Sequence, residues 1–371
     1  MANSNIFFNN LTSIPQRESK LKRVGGTPLC LLSFFYGLAV SARLSFYARG
    51  IFRTHALPCK VVSVGNITLG GTGKTPFVYL LSEMIRAKGF RVAILSRGYK
   101  GKFKGSFAVV TDGERILMDA QEAGDEPYLL AKKLREVPVI VGKERWLSGK
   151  YAVDKFKTEV LILDDGFQHL SLKRDLNLLL IDSASPFGNG YLFPRGALRE
   201  PLEQLSRADA LILTKVAECA NIKILKQNLK RALDGHPIFE VDYAPEEVWV
   251  QGKKLSLPPA SLKGKRILAF SGIAKPESFR HTLVSLEAKI VRIEAFPDHH
   301  WYVQKDVHRL WEKAAELQVD ALVTTEKDLV RLKDYPMGLP MLWVLSIQHV
   351  FRENDQPLFE KFLFSRLGSG R

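Results

Sequence analysis

One stretch limits what this chain can fold into more than any other. An apolar run, Val61–Gly65, leads directly into Asn66-Ile67-Thr68-Leu69-Gly70-Gly71-Thr72-Gly73-Lys74-Thr75-Pro76. The β-branched run reads as a buried strand and the periodic segment 75–88 as a helix, so three glycines sit at a strand-to-helix turn. Glycine lets successive backbone N–H groups converge there, and the positive end of the helix adds to the field, which makes a cradle for phosphate oxygens. The pattern GxxxxGK(S/T) is met from Gly73 onward, with Thr68 where a first glycine usually stands. Lys74 is spaced to reach the outer phosphates of a nucleotide, and the Thr75 hydroxyl to ligate Mg²⁺. A plain glycine-rich turn beside a surface lysine would not need strand, glycines, Lys-Thr and helix in this order. Thr214-Lys215-Val216-Ala217 lacks the aspartate that reads guanine, which favours ATP over GTP.

Short apolar runs recur at 91–95, 137–141, 159–163, 177–181 and 209–213, with helical patterns at 126–135, 143–156 and 221–233. Unbroken apolar strands alternating with helices predict a P-loop NTPase-like, doubly wound α/β sheet covered on both faces. Residues 237–258 alternate like a polar-interrupted hairpin, and a second α/β run follows from 266 to 366. The expected organisation is a leader at 1–24, a helix at 25–50, a P-loop domain at 51–238 and a smaller α/β domain at 239–371.

Ligands of an open parallel sheet bind beyond the carboxyl ends of its strands. The run 159–163 delivers Asp164 and Asp165 there, and two adjacent carboxylates after a buried strand are costly without a cation. They are read as Mg²⁺ ligands with Thr75. His169 follows four residues after Asp165 and reads equally as a ligand contact or a turn histidine. Gly124-Asp125-Glu126-Pro127 opens a helical pattern. Asp125 is an N-cap on one reading and, on the other, the carboxylate that takes a proton from an attacking hydroxyl. Asp298-His299-His300-Trp301 is a second candidate for proton transfer. Arg97, Arg145, Arg195 and Arg199 lie near strand ends, where guanidinium groups hold phosphate bidentately, although each alone reads as a surface charge.

Charge distribution narrows the partners. The chain of 371 residues carries +15, yet residues 1–60 alone hold eight basic residues against one acid. These flank an uncharged segment, Val24–Ala42, whose run LCLLSFFYGLAV is almost wholly apolar. As a helix it is barely long enough for a bilayer core of roughly 30 Å. Basic residues on both sides favour a helix lying in the membrane interface on anionic lipid; a single span, a buried core helix and a signal peptide are the alternatives. Ser33, Gly37, Ser41 and Ser45 form a small-residue stripe along it. A nucleic-acid binder would need basic and aromatic residues interleaved over the body, so nucleic acid is not an expected partner. Three cysteines without metal spacing or an even count fit a reducing, cytoplasmic location.

Together, SVGNITLGGTGKTP, LSRGY, GDEP, LDDGFQH, GYLFPRGALREPL, ADALILTK, FSGIAKPESF, FPDHHWY and TTEKD resemble the tetraacyldisaccharide 4′-kinase family of lipid A biosynthesis, in family order from about 28 to 332. The family shares the threonine at Thr68. The resemblance implies a membrane-associated kinase on the cytoplasmic face of the inner membrane. It would transfer the γ-phosphate of ATP to the 4′-hydroxyl of an acylated glucosamine disaccharide 1-phosphate. It implies ATP on Thr68, Leu69, Gly70, Gly71, Thr72, Gly73, Lys74 and Thr75, Mg²⁺ near Thr75, Asp164 and Asp165, and a deprotonating pair of Asp125 and His299. Arg97, Arg145, His169, Arg199 and Glu200 match positions that would line the substrate site. A membrane-tethered P-loop ATPase acting as a nucleotide switch is the rival, but it leaves GDEP and DHH without a task.

Overall fold

A computed structural model of the chain describes residues 26–233, 235–253, 255–332 and 341–368. The expected leader at 1–24 lies outside them. The phosphate-loop half is built on β1 (Lys60–Asn66), β2 (Val92–Ser96), β4 (Val139–Gly142), β5 (Val160–Asp164), β6 (Leu176–Asp182) and β7 (Ala210–Thr214), all running parallel in the order β7-β6-β1-β5-β2-β4. Their residues are buried on both faces, which is why the strands read as continuous apolar runs. The helix Lys74–Ala87 buries Phe77, Val78, Leu81 and Ile85, spaced to form one face, against Val62 and Val64 of β1. Each such side chain contributes roughly 1.5–3 kcal/mol of burial. Helix Arg145–Phe156 covers the opposite face around Leu95 and Leu161. The edge strand β3 (Phe107–Thr111) pairs antiparallel with β4. Its short run, partly exposed, gives little periodic signal.

The second half carries β10 (Arg266–Ser271), β11 (Lys289–Ala295), β12 (Ala321–Thr325) and β13 (Met341–Phe351) in the parallel order β11-β10-β12-β13, with helices Pro276–Ser285 and Gln304–Glu316 on opposite faces. One strand joins the two sheets. β8 (Ile238–Val250) pairs parallel with β7 through Ile238–Glu240, then antiparallel with β13 from Val241 to Val250, and folds back on β9 (Leu255–Leu257). The alternating hairpin pattern at 237–258 is thus a shared strand. The last helix, Asp355–Leu367, returns to the first half, where Phe359, Leu363 and Leu367 join the core of Val62 and Phe77.

The helix Gly26–Ala48 is long and apolar enough to cross a membrane by length and composition, with a mean hydropathy of 1.6 over its most apolar window. Little of it is buried. Ser33 Oγ donates to the Leu192 carbonyl (2.8 Å), Tyr36 Oη to the Arg199 carbonyl (2.8 Å) and Arg43 Nη2 to the Gln168 carbonyl (2.9 Å). Gly37 presses on Leu192, so part of the small-residue stripe is a docking face, whereas Ser41 is exposed. Leu31, Leu32, Phe34, Phe35 and Leu38 each remain more than half exposed.

Candidate active site

The glycine loop lies where β1 ends. Gly73 caps the following helix at φ 88°, a left-handed conformation that favours glycine, and a Cβ there would collide with Tyr243 Oη (2.6 Å) and the His349 ring (2.8 Å). A Cβ at Gly70 or Gly71 would meet nothing within 4 Å. Lys74 Nζ lies 3.2 Å from Asn66 Oδ1 and 3.3 Å from Asp165 Oδ1. Thr75 is buried in the first turn. The Thr214-Lys215 pair, which lacks the aspartate that reads guanine, props the loop instead. Thr214 Oγ1 donates to the Thr72 carbonyl (3.0 Å), and Lys215 Nζ to the Gly71 carbonyl (2.8 Å) while pairing with Asp182. That role was not legible beforehand, because it depends on β6 and β7 ending beside the loop.

The two aspartates after β5 have different partners. Asp164 accepts from Ser96 Oγ (3.0 Å) through Oδ2, while its Oδ1 is buried without a hydrogen-bond partner. Burial, then Glu126 and Asp165, push its carboxyl up to about 6. Asp165, in a left-handed conformation at φ 54°, accepts from Arg199 Nη1 at 2.9 and 3.1 Å and pairs with Lys74. Burial alone would raise it, but Lys74 and Arg199 outweigh that and hold it down to about 2. Among the described residues no group of three or more His, Cys, Asp or Glu is arranged to hold a metal. An orphaned carboxylate oxygen on Asp164, at the end of the strand that pairs with β1, fits Mg²⁺, which is ordinarily held by one or two carboxylates plus phosphate oxygens and water.

Asp125 is not an N-cap. Gly124 fills that position at φ 90°, where a Cβ would meet the Tyr99 carbonyl at 2.7 Å, and Asp125 begins helix Asp125–Lys133. Its buried Oδ2 accepts from His299 Nδ1 at 2.8 Å, across 174 residues. It also accepts from Arg331 Nε (2.9 Å) and Nη2 (2.6 Å), across 206 residues. Burial would raise the Asp125 carboxyl, but the His299 hydrogen bond and the Arg331 charge hold it well below the usual carboxylate range. Next to it, Glu126 pairs with Lys327 (2.9 Å) and is held low by Lys327 and, more weakly, by Lys74. The helix start therefore stands close to the loop lysine.

The remaining expected residues have varied surroundings. Arg145 is buried, donating to the carbonyls of Gly142 (3.1 Å) and Asp164 (3.0 Å) and leaving Nε unpartnered. Burial presses it down to about 10. His169 Nε2 lies 3.0 Å from Ser171 Oγ, and burial followed by Arg145 lowers it to about 4, so it is neutral at pH 7. Glu200 is buried in a pair with Arg207, whose guanidinium lies 4.3 Å over the Phe167 ring. Arg97 is exposed. The Arg195 guanidinium lies over the Tyr191 ring (3.4 Å). Arg331 and Lys327 were missed, although both lie within a short helix, Glu326–Arg331, that begins inside TTEKD.

Comparison with known proteins agrees with this geometry. The family model described as Tetraacyldisaccharide-1-P 4′-kinase (LpxK) matches residues 26–367. Tetraacyldisaccharide 4′-kinase of Desulfatibacillum aliphaticivorans is 43% identical over 93% of this chain and 94% of its own length; that of Syntrophus aciditrophicus is 43% identical over 93% and 95%. The crystal structure of LpxK from Aquifex aeolicus in complex with ATP superposes with a TM-score of 0.73 at 33% identity, covering 91% of this chain and 98% of that one. A phosphate loop, an orphaned aspartate oxygen beside it and an Asp–His pair joined across the two halves, on a chain matched from the apolar helix to the last helix, place this protein in the tetraacyldisaccharide 4′-kinase family.

Proposed function

We propose that the Asp125–His299 pair takes the proton from the 4′-hydroxyl of a tetraacyldisaccharide 1-phosphate while that oxygen attacks the γ-phosphorus of ATP, in lipid A biosynthesis. The observation that carries the proposal is the 2.8 Å contact between the two side chains, on a helix whose second residue feels Lys74. Transfer of this kind has a loose transition state, so positioning and charge neutralisation supply most of the acceleration. Glycine amides at 70–73 would grip the phosphates, and Lys74 would leave Asp165 to neutralise the outer ones. Asp164 and Thr75 would hold Mg²⁺, which when bound offsets phosphate charge. Arg199, kept in place by Asp165 and by the Tyr36 hydroxyl on its carbonyl, ties the apolar helix to the site.

The substrate comes from a bilayer, and the exposed leucine and phenylalanine face of residues 29–46 supports a helix set into the cytoplasmic leaflet of the inner membrane. ATP is available on that side. Incubating the protein with γ-labelled ATP, Mg²⁺ and tetraacyldisaccharide 1-phosphate in mixed micelles is expected to move label into glycolipid. Release of labelled free phosphate alone would favour the nucleotide-switch reading instead.

A further inference from the structure

The strongest unassigned feature is the buried arginine against the catalytic pair. Arg331 is 1% exposed, and its guanidinium makes two hydrogen bonds to one oxygen of Asp125. Its Nη1 donates to the Gly272 carbonyl (2.8 Å), which also accepts the His299 backbone N–H (3.0 Å). The Gly272 N–H donates in turn to Asp328 Oδ1 (2.9 Å), as does the Tyr302 hydroxyl (3.0 Å), and Asp328 lies 3.5 Å from Arg331. Arginine, histidine loop and aspartate thus share one network, which Asp125 joins from the first half of the chain. A salt bridge serving stability alone would not need to meet the same carboxylate oxygen as the histidine.

Resting on the Asp125–His299 reading above, we propose that Arg331 is a positioning residue that holds Asp125 in place as the hydrogen-bond partner orienting the His299 ring. A carboxylate that stays ionised can only accept, so Nδ1 carries the ring proton and Nε2 presents its lone pair. The sugar O–H bond breaks as its proton passes to the Asp125–His299 pair, and the oxygen's electron pair forms the new bond to the γ-phosphorus. The bond from that phosphorus to the bridging oxygen breaks with its electrons going to ADP. Around the pair stand Asp298, whose Oδ2 is 3.9 Å from Nε2, the Tyr99 ring 6.4 Å from the His299 ring, the Glu126–Lys327 pair and the Asp328–Tyr302 contact.

The test uses the full chain with R331Q, R331K and H299A, measuring kcat, KM for both substrates, ATP affinity and the pH dependence of kcat/KM. R331Q is expected to lose at least tenfold in kcat with ATP affinity unchanged. Removing the positive charge should also move the acid limb of its profile to higher pH, and R331K should recover part of both changes. Unchanged kcat and pH profile in R331Q would overturn the proposal, as would loss of ATP binding in both R331Q and R331K, which would make the arginine a support of the fold. Full activity in H299A would instead sink the reading of the pair itself, whatever Arg331 does.

Discussion

The two halves of this protein contribute to one site in different ways. The first supplies a phosphate loop whose parts are sequence neighbours, propped from below by Thr214 and Lys215. The second supplies His299 and Arg331, single side chains from separate loops and helices that converge on Asp125. A grip made of backbone amides is local by nature, because one turn of chain presents several donors at once. Proton transfer needs a few side chains at hydrogen-bond distance in a set order, and no short segment provides that. A two-part kinase can therefore bind nucleotide with one half and depend on the other for chemistry.

The largest expected effect would break that division outright. Asp125→Ala should lower turnover roughly 10²–10⁴-fold while nucleotide affinity stays unchanged. Lys74→Ala should lose roughly 10²–10³-fold and weaken ATP binding as well. Initial rates of label transfer, measured beside a nucleotide titration, check both. Identical patterns in the two variants would erase the distinction between the halves.

A smaller effect concerns where the halves touch. His349 on β13 stacks near Tyr243 at 4.6 Å and presses on Gly73, with both ring nitrogens buried and unpartnered. Burial, with Lys215 adding to it, pushes the imidazole from 6.5 down to about 3. The unfolded chain therefore takes up this proton first. The stability linked to His349 is complete above about pH 6.5 and is lost as pH falls towards about 3. Melting temperatures between pH 7 and 4 should fall less steeply for His349→Gln than for the parent. A parallel fall would detach His349 from the acid sensitivity.

The smallest effect sharpens the place of the apolar helix. Tyr36→Phe removes one hydrogen bond, to the Arg199 carbonyl, and should cost about 0.5–1.5 kcal/mol in denaturant unfolding. Vesicle binding should be unaffected, since the exposed leucine and phenylalanine face is untouched. Loss of vesicle binding would show that docking and membrane contact are one function.

Much of this protein is determined by its sequence alone. Continuous apolar runs specify strands buried on both faces, the glycine cluster before Lys74 specifies a tight strand-to-helix turn, and quoted motifs in order specify the family. The helix at 26–48 follows from an uncharged, apolar stretch, whereas the docking of Ser33 and Gly37 against Leu192 came only with the tertiary structure. Tertiary structure decided the rest. Only the packed sheet shows that Lys215 braces the loop, that Asp165 is held by Lys74 and Arg199 while Asp164 keeps a free oxygen, and that Glu200 turns to Arg207. Only the sharing of β8 between the halves carries His299 and Arg331 to Asp125. Hydrogen bonds within one turn follow from residue order, whereas bonds between residues 174 and 206 positions apart depend on how two sheets are joined.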